Sequence, residues 1–252
     1  MAAASAFLAC SAAPTPAGAA QAAKADAPTA YLRPGSLPDP RGYLPPPPQP
    51  GSPAAAADRA AYESALAGRD GPAWRQAVAQ ADIRSPGVRR QIMCALGARL
   101  DLTPASAVGR LMSRSGLALA QASEQAKAVW PRDRPYVGEK DAVTCDPNAN
   151  FGTQSPSYPS GHAAIGWMWA LMLAELAPDR SGGLLGWGAG VGDNRIACRV
   201  HYPSDVAAGR MLGAAVLARL RAEPAFRADL EAARAEIGAA RAAGAKPDCA
   251  AD

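Results

Sequence analysis

The segment that most restricts the fold is Ala163 to Ala177, AAIGWMWALMLAELA, which is apolar on every side of a helix. It is too short to cross a bilayer unaided and contains Glu175, so other protein elements must bury it as a central helix. From Asp58 onward, stretches rich in alanine, leucine and arginine keep helical spacing and are broken at Gly71-Pro72, Ser85-Pro86, Thr103-Pro104 and Pro131. β-Branched runs with a period of two are scarce, which leaves strands little support. The pattern predicts an all-α, single-domain helical bundle with helices near 58–68, 72–81, 86–99, 104–129, 161–177, 183–193, 203–222 and 224–243. No internal repeat is evident.

Residues 1–22 carry no charged side chain and end in small residues, so they read as a removable signal peptide, with the protein exported to the periplasm. Cys10, after Leu8-Ala9, offers lipid attachment as an alternative, which Phe7 fits poorly. Residues 23–57 form a proline- and alanine-rich N-terminal arm whose run Pro45 to Pro48 favours extended backbone, and this arm is expected to wrap over the body. The domain proper is placed at 58–243 and a C-terminal tail at 244–252. Without the first 22, about 230 residues remain, enough to bury one sizeable core.

The net charge is +4 and no run of five or six cations occurs, which argues against a nucleic-acid polymer as partner and leaves mild attraction for small anions. No other stretch reaches membrane-spanning length, so no membrane span is expected, and homo-oligomerisation is left open. Beyond Cys10 lie Cys94, Cys145, Cys198 and Cys249, without CxxC spacing. Two disulfides in any of three connectivities and buried free thiols are equally compatible readings. A zinc site is disfavoured because only two histidines occur.

Those two histidines, His162 and His201, each lie in a dense polar motif. Ser160-Gly161-His162 opens the buried helix, where free backbone N–H groups and the macrodipole suit an anion. Ser160 can donate its hydroxyl or cap the helix, and Gly161 lets an oxyanion approach the backbone. The plainer reading makes Ser160 a cap and His162 a structural histidine. Upstream, Lys127 and Arg134 bracket the end of the long preceding helix and can point back into one cavity, although each alone reads as a solvated charge. Arg132 and Asp133, between them, read as surface charges or a local ion pair.

His201 and Asp205 stand four apart, on one face of a helix beginning near Pro203. A carboxylate on one ring nitrogen fixes the tautomer and frees the other as a nucleophile. Arg195 would complete the oxygen cage. A structural His–Asp hydrogen bond is the bland alternative.

In this order, Lys127-x6-Arg134-Pro135, Pro159-Ser160-Gly161-His162 and Arg195-x5-His201-x3-Asp205 resemble the tripartite signature of the type 2 phosphatidic acid phosphatase superfamily. Within it the chain is most similar to the bacterial class A non-specific acid phosphatases, through Tyr43 to Pro48, Thr144-Cys145, Ser157 to Trp167, His201-x2-Ser204-Asp205-Val206 and Glu223 to Phe226, over roughly 40–235. The resemblance implies an all-α fold of the architecture shared with vanadium haloperoxidases, and metal-independent hydrolysis of small phosphomonoesters with no cofactor. It also implies His201 as a nucleophile forming a phosphohistidine, Asp205 as its partner and His162 as acid and then base. Lys127, Arg134, Ser160, Gly161 and Arg195 would bind the phosphoryl oxygens. An acidic optimum is expected, because one imidazole must be neutral while the other carries a proton. Phosphotransfer to alcohols is an expected side activity. The alternatives are a vanadate-dependent haloperoxidase and an inactive phosphate-binding protein.

Two positions depart from the pattern: Asn194 replaces the usual serine, and Arg199 replaces the usual glycine before the nucleophile. Asn194 is expected to keep a hydrogen bond through its amide, and Arg199 is expected to be exposed.

Overall fold

A computed structural model describes residue 1 and residues 29–33, 35–146, 149 and 155–249. The signal-peptide expectation falls on residues outside this range. Eight α-helices follow: α1 (Pro53–Ser64), α2 (Pro72–Ala79), α3 (Pro86–Leu96), α4 (Ala107–Val129), α5 (Gly161–Leu176), α6 (Ser181–Ala197), α7 (Pro203–Leu220) and α8 (Pro224–Ala242), with no strand among the described residues.

Proline punctuation sets most of the helix starts. Proline occupies the first turn of α1, α2, α3, α7 and α8, where its missing N–H has no helical partner to lose. Ser52, Ser85, Ser106 and Ser160 accept from backbone N–H groups as N-caps of α1, α3, α4 and α5. Two boundaries shift for this reason. Ser52 starts α1 at Pro53, inside the stretch read as arm, and Ser106 starts α4 at Ala107 instead of at Pro104. α6 runs on to Ala197, beyond the expected end near 193, so Asn194 and Arg195 lie in its last turn.

No residue of α5 is exposed, in keeping with its apolar circumference. It packs most extensively against α6 and α7, while α4 pairs with α8. Close approach depends on glycine: a Cβ at Gly209 would lie 2.4 Å from the Ser160 carbonyl oxygen, and one at Gly213 would lie 2.4 Å from that of Ala164. The N-terminal arm also reaches the core. Tyr31, Leu32 and Leu44 are buried in it, and Tyr31 donates to Asp229 at 2.7 Å and meets Phe226 edge to face. Cys94 pairs with Cys249, and Cys145 with Cys198. The second bridge fixes the loop before residue 146 to the end of α6, directly beside the segment carrying His201. Among the described residues, no helix is long and apolar enough to cross a membrane.

Because backbone oxygens occupy the space a methyl would need, Gly213→Ala is expected to destabilise by about 1–3 kcal/mol, lowering Tm by roughly 2–12 °C. Gly182→Ala in α6, where nothing lies within 4 Å, is the matched control and should leave Tm level or higher. Equal thermal unfolding of the two variants would contradict the close α5–α7 packing.

Candidate active site

Helix α5 brings its N-terminus to the start of α7. The Ser160 hydroxyl caps α5 by accepting from Ala163 N at 3.4 Å, while Ser160 N donates to the Asp205 carbonyl at 2.9 Å. Of the two roles the sequence allowed Ser160, capping is the one formed. One residue into the helix, His162 Nε2 lies 3.1 Å from the Ala81 carbonyl. A carbonyl only accepts, so Nε2 carries the hydrogen and Nδ1 keeps the lone pair in the neutral ring.

His201 sits in the short connection between α6 and α7. Val200 N closes back onto the Arg195 carbonyl at 3.1 Å, and Arg199 takes a left-handed φ of +63°. That backbone conformation explains why glycine suits this position. Arg199 is not exposed as expected. It is 6 % exposed, with its guanidinium donating to the carbonyls of Tyr62 and Val143 at 3.2 and 2.9 Å and lying over the Tyr62 ring. These neutral acceptors and the ring face hold the charge on the side of the loop formed by Tyr62 and Val143.

The His201 ring is buried and bonded at both ends. Arg134 Nη1 lies 3.2 Å from Nε2, and a guanidinium cannot accept, so Nε2 presents its lone pair. The hydrogen is then on Nδ1, 3.4 Å from Asp205 Oδ2 and 3.3 Å from Ser157 Oγ. Asp205 is itself pinned. Oδ2 also accepts from Ser157 Oγ at 2.5 Å and from Tyr202 N at 2.8 Å, and Oδ1 accepts from Arg132 Nη1 at 2.7 Å. Arg132 Nη2 continues to Asp58 Oδ2 at 2.9 Å, and Asp58 accepts from both the backbone N–H and the hydroxyl of Ser204.

Arg132 is therefore no solvated surface charge. It joins α1 to the first turn of α7 through two carboxylates, and its sequence neighbours carry no sign of partners so far away in the chain. Asp58, Asp146, Ser155 and Ser157 were likewise not singled out as site residues. Ser157 opens the stretch Ser157 to Trp167, the one hint the sequence offers.

Three cations face this region. Lys127 is buried and donates to Ser155 Oγ at 2.6 Å; Arg134 donates to the carbonyls of Ser155 and Val200 at 3.1 and 3.0 Å. Neither has a carboxylate within ion-pair distance among the described residues. Arg195 is 2 % exposed and bonds Asp146 Oδ2 through Nη2 at 2.6 Å. Its Nε and Nη1 groups are buried without a hydrogen-bond partner among the described residues. Asn194, by contrast, spends its amide on Gln80 Oε1 at 2.7 Å, in a chain that continues through Gln91 to the Trp187 indole. Gly161 borders a cavity of about 650 Å³ together with Lys127 and His162.

This surplus of positive charge acts on both imidazoles. Desolvation and then Arg195 and His201 push the His162 pKa down to about 3, against smaller opposing effects of the Ala81 carbonyl and Asp146. Burial likewise pushes His201 well below the ordinary histidine range, despite the opposing Asp205 carboxylate, with Arg134 and Arg195 adding to the fall. Burial alone would raise Asp205, but hydrogen bonds from His201 and Ser157 and the charges of His201 and Arg132 hold it below the usual carboxylate range. Lys127 is lowered by burial and by Arg134. The three motifs meet at one locus: Ser160 N bonds the Asp205 carbonyl, Arg134 bonds His201 and shares Ser155 with Lys127, and Lys127, Gly161 and His162 line one cavity. Lys127, Arg134, Ser160, Gly161, His162, Arg195, His201 and Asp205 all border that locus or act on it electrostatically.

Residues 113–225 match the PAP2 superfamily. The chain is 35 % identical over 210 residues to an acid phosphatase of Zymomonas mobilis, covering 83 % of this chain and 80 % of that protein. It is 36 % identical over 200 residues to a non-specific acid phosphatase of Salmonella typhimurium, covering 77 % and 78 %. A solved Bacillus subtilis structure, a transmembrane PAP2 type phosphatidylglycerolphosphate phosphatase, aligns with a TM-score of 0.48 and 20 % identity over 68 % of this chain and 87 % of that one. The chain belongs to the PAP2 superfamily and, within it, to the bacterial acid phosphatases.

Stability should fall in acid. In the unfolded chain both imidazoles return to about 6.5, so between that value and their lower folded values the unfolded state binds more protons. Their stabilising contribution is complete above about 6.5 and is lost as pH falls towards 3, and Asp205 adds a further loss below about 4. Tm should therefore decline steadily from neutral pH into acid, and inorganic phosphate should restore part of it by supplying the missing negative charge. A Tm that is flat from pH 7 to about pH 4, with or without phosphate, would contradict two rings held neutral by desolvation.

Proposed function

We propose that the protein hydrolyses small phosphomonoesters through a phosphohistidine formed on His201. The observation that carries this reading is the set of cations left uncompensated around two imidazoles: Lys127, Arg134 and the two unpartnered nitrogens of Arg195, Nε and Nη1. A tetrahedral dianion supplies both the charge and the acceptors they lack.

The lone pair of His201 Nε2 attacks phosphorus in line with the departing oxygen. The N–P bond forms as the P–O bond to the alcohol breaks. Asp205 stabilises the positive ring through Nδ1–H, and Arg132, Ser157 and Asp58 hold that carboxylate in place. His162 Nδ1 gives its proton to the departing alkoxide. It then takes one from the water that breaks the N–P bond, releasing phosphate and restoring both rings. An alcohol entering in place of water would give phosphotransfer.

An acidic optimum follows from where the proton comes from. Desolvation, with Arg195 and His201, holds free His162 well below the ordinary histidine range, so it does not hold its proton at working pH before substrate binds. A phosphomonoester monoanion, whose second pKa is about 6, brings that proton in, and once bound it leaves a dianion in the cation cage and a cation on His162. Above about pH 6 the substrate arrives without the proton.

For phenyl phosphate, kcat/KM should pass through an acidic maximum and decline above about pH 6, and His201→Ala should lose several orders of magnitude with its helical content intact. A folded variant turning over within about tenfold of the parent would remove His201 as nucleophile.

A further inference from the structure

The cavity beside the site shows which alcohols it accommodates. Its wall includes Lys127, Gly161 and His162 but none of Arg134, Arg195 or His201. Resting on the reaction proposed above, this is the leaving-group side: in-line attack by His201 places the departing oxygen opposite it, on the flank where His162 donates the proton. Whatever is esterified to the phosphoryl group therefore enters this space.

The space is larger than a phosphate needs and its interior is apolar. At about 650 Å³ it falls in the range of small-molecule sites. Ile83, Ile92, Met112, Ile165 and Trp169 line it; of the charged side chains, Arg84, Arg89 and Glu124 belong to exposed residues, and the buried Lys127 stands at the phosphoryl end. The neutral hydroxyls on the wall are those of Ser113 and Ser123. A sugar or nucleoside would bring many hydroxyl groups against hydrocarbon, at the cost of their hydration. An alkyl chain gains from the same burial.

We infer that the site prefers phosphomonoesters of linear, medium-chain alkyl alcohols over those of sugars. Gly116 keeps the passage open. A Cβ there would stand 3.4 Å from Ile165 Cδ1 and 3.5 Å from a ring carbon of Trp169, so a longer side chain would project into the cavity.

The test is kcat/KM for phosphate release from ethyl, butyl and hexyl phosphate and from ribose 5-phosphate. The alkyl esters share nearly the same intrinsic reactivity, so differences among them report burial of the chain. The values should rise about two- to fourfold per methylene, giving at least about tenfold from ethyl to hexyl, with ribose 5-phosphate below butyl. Gly116→Leu removes a glycine from a helix interior, which spares the fold. It should bring hexyl phosphate to within about threefold of ethyl phosphate while ethyl phosphate turnover is kept. Ile83→Ser, in the connection between α2 and α3, should reduce the chain-length slope without touching the helices. Active enzyme with a flat alkyl series, or with ribose 5-phosphate preferred to hexyl phosphate, would overturn the inference and leave the phosphatase reading intact. No phosphate release from any ester would overturn that reading, and the inference with it.

Discussion

The arrangement depends on one buried guanidinium that is only partly satisfied. Arg195 reaches the locus from the last turn of α6 with one nitrogen on Asp146 and the other two, Nε and Nη1, bonded to nothing among the described residues. An unmet buried donor costs on the order of 1–3 kcal/mol, more when charged, and a fold tolerates that where an acceptor is meant to arrive. The neighbouring features serve its placement. The Cys145–Cys198 bridge holds the segment leading to Asp146 against the end of α6, and the left-handed turn at Arg199 directs the chain from α6 towards His201.

Around that cation the two imidazoles are held differently. His201 is bonded at both ring nitrogens, with Nδ1 against a carboxylate that three further donors hold, one of them Arg132, itself paired with Asp58. His162 touches a single backbone carbonyl and borders a cavity. The first ring is suited to covalent attack in one tautomer. The second is suited to passing a proton to a variable group in the open space beside it. Desolvation first, and the excess of positive charge after it, keep both neutral in the free protein, so an incoming anion changes their protonation as well as filling the cage.

Much of this was legible in the sequence because it is local. The apolar run from Ala163, the prolines at helix starts and the serine caps all act within a turn of themselves, and they placed the helices to within a few residues of their observed positions. His201 and Asp205 were paired through helical spacing, a local relation that the structure keeps. The misreadings concern charges whose partners lie far along the chain. Arg132 reads as a surface charge or as paired with its neighbour Asp133, yet its carboxylates are Asp205 and Asp58, 73 and 74 residues away. Arg199 looked exposed because a sequence does not display the Tyr62 ring face or the distant carbonyls that receive it. The cavity beyond His162 was invisible for the same reason, since α3, α4 and α5 each supply part of its wall.

Because the chain contains two histidines, its imidazole NMR spectrum holds two spin systems, and these measure the charge balance of the cage directly. On lowering pH from about 7 to about 4 without added anion, neither ring should titrate near the ordinary value of about 6.5. With saturating inorganic phosphate, one ring, assigned to His162 by its loss in His162→Asn, should take up its proton at a distinctly higher pH. Two ordinary titrations near 6.5 that phosphate does not move would contradict a shared, uncompensated cationic cage around both rings.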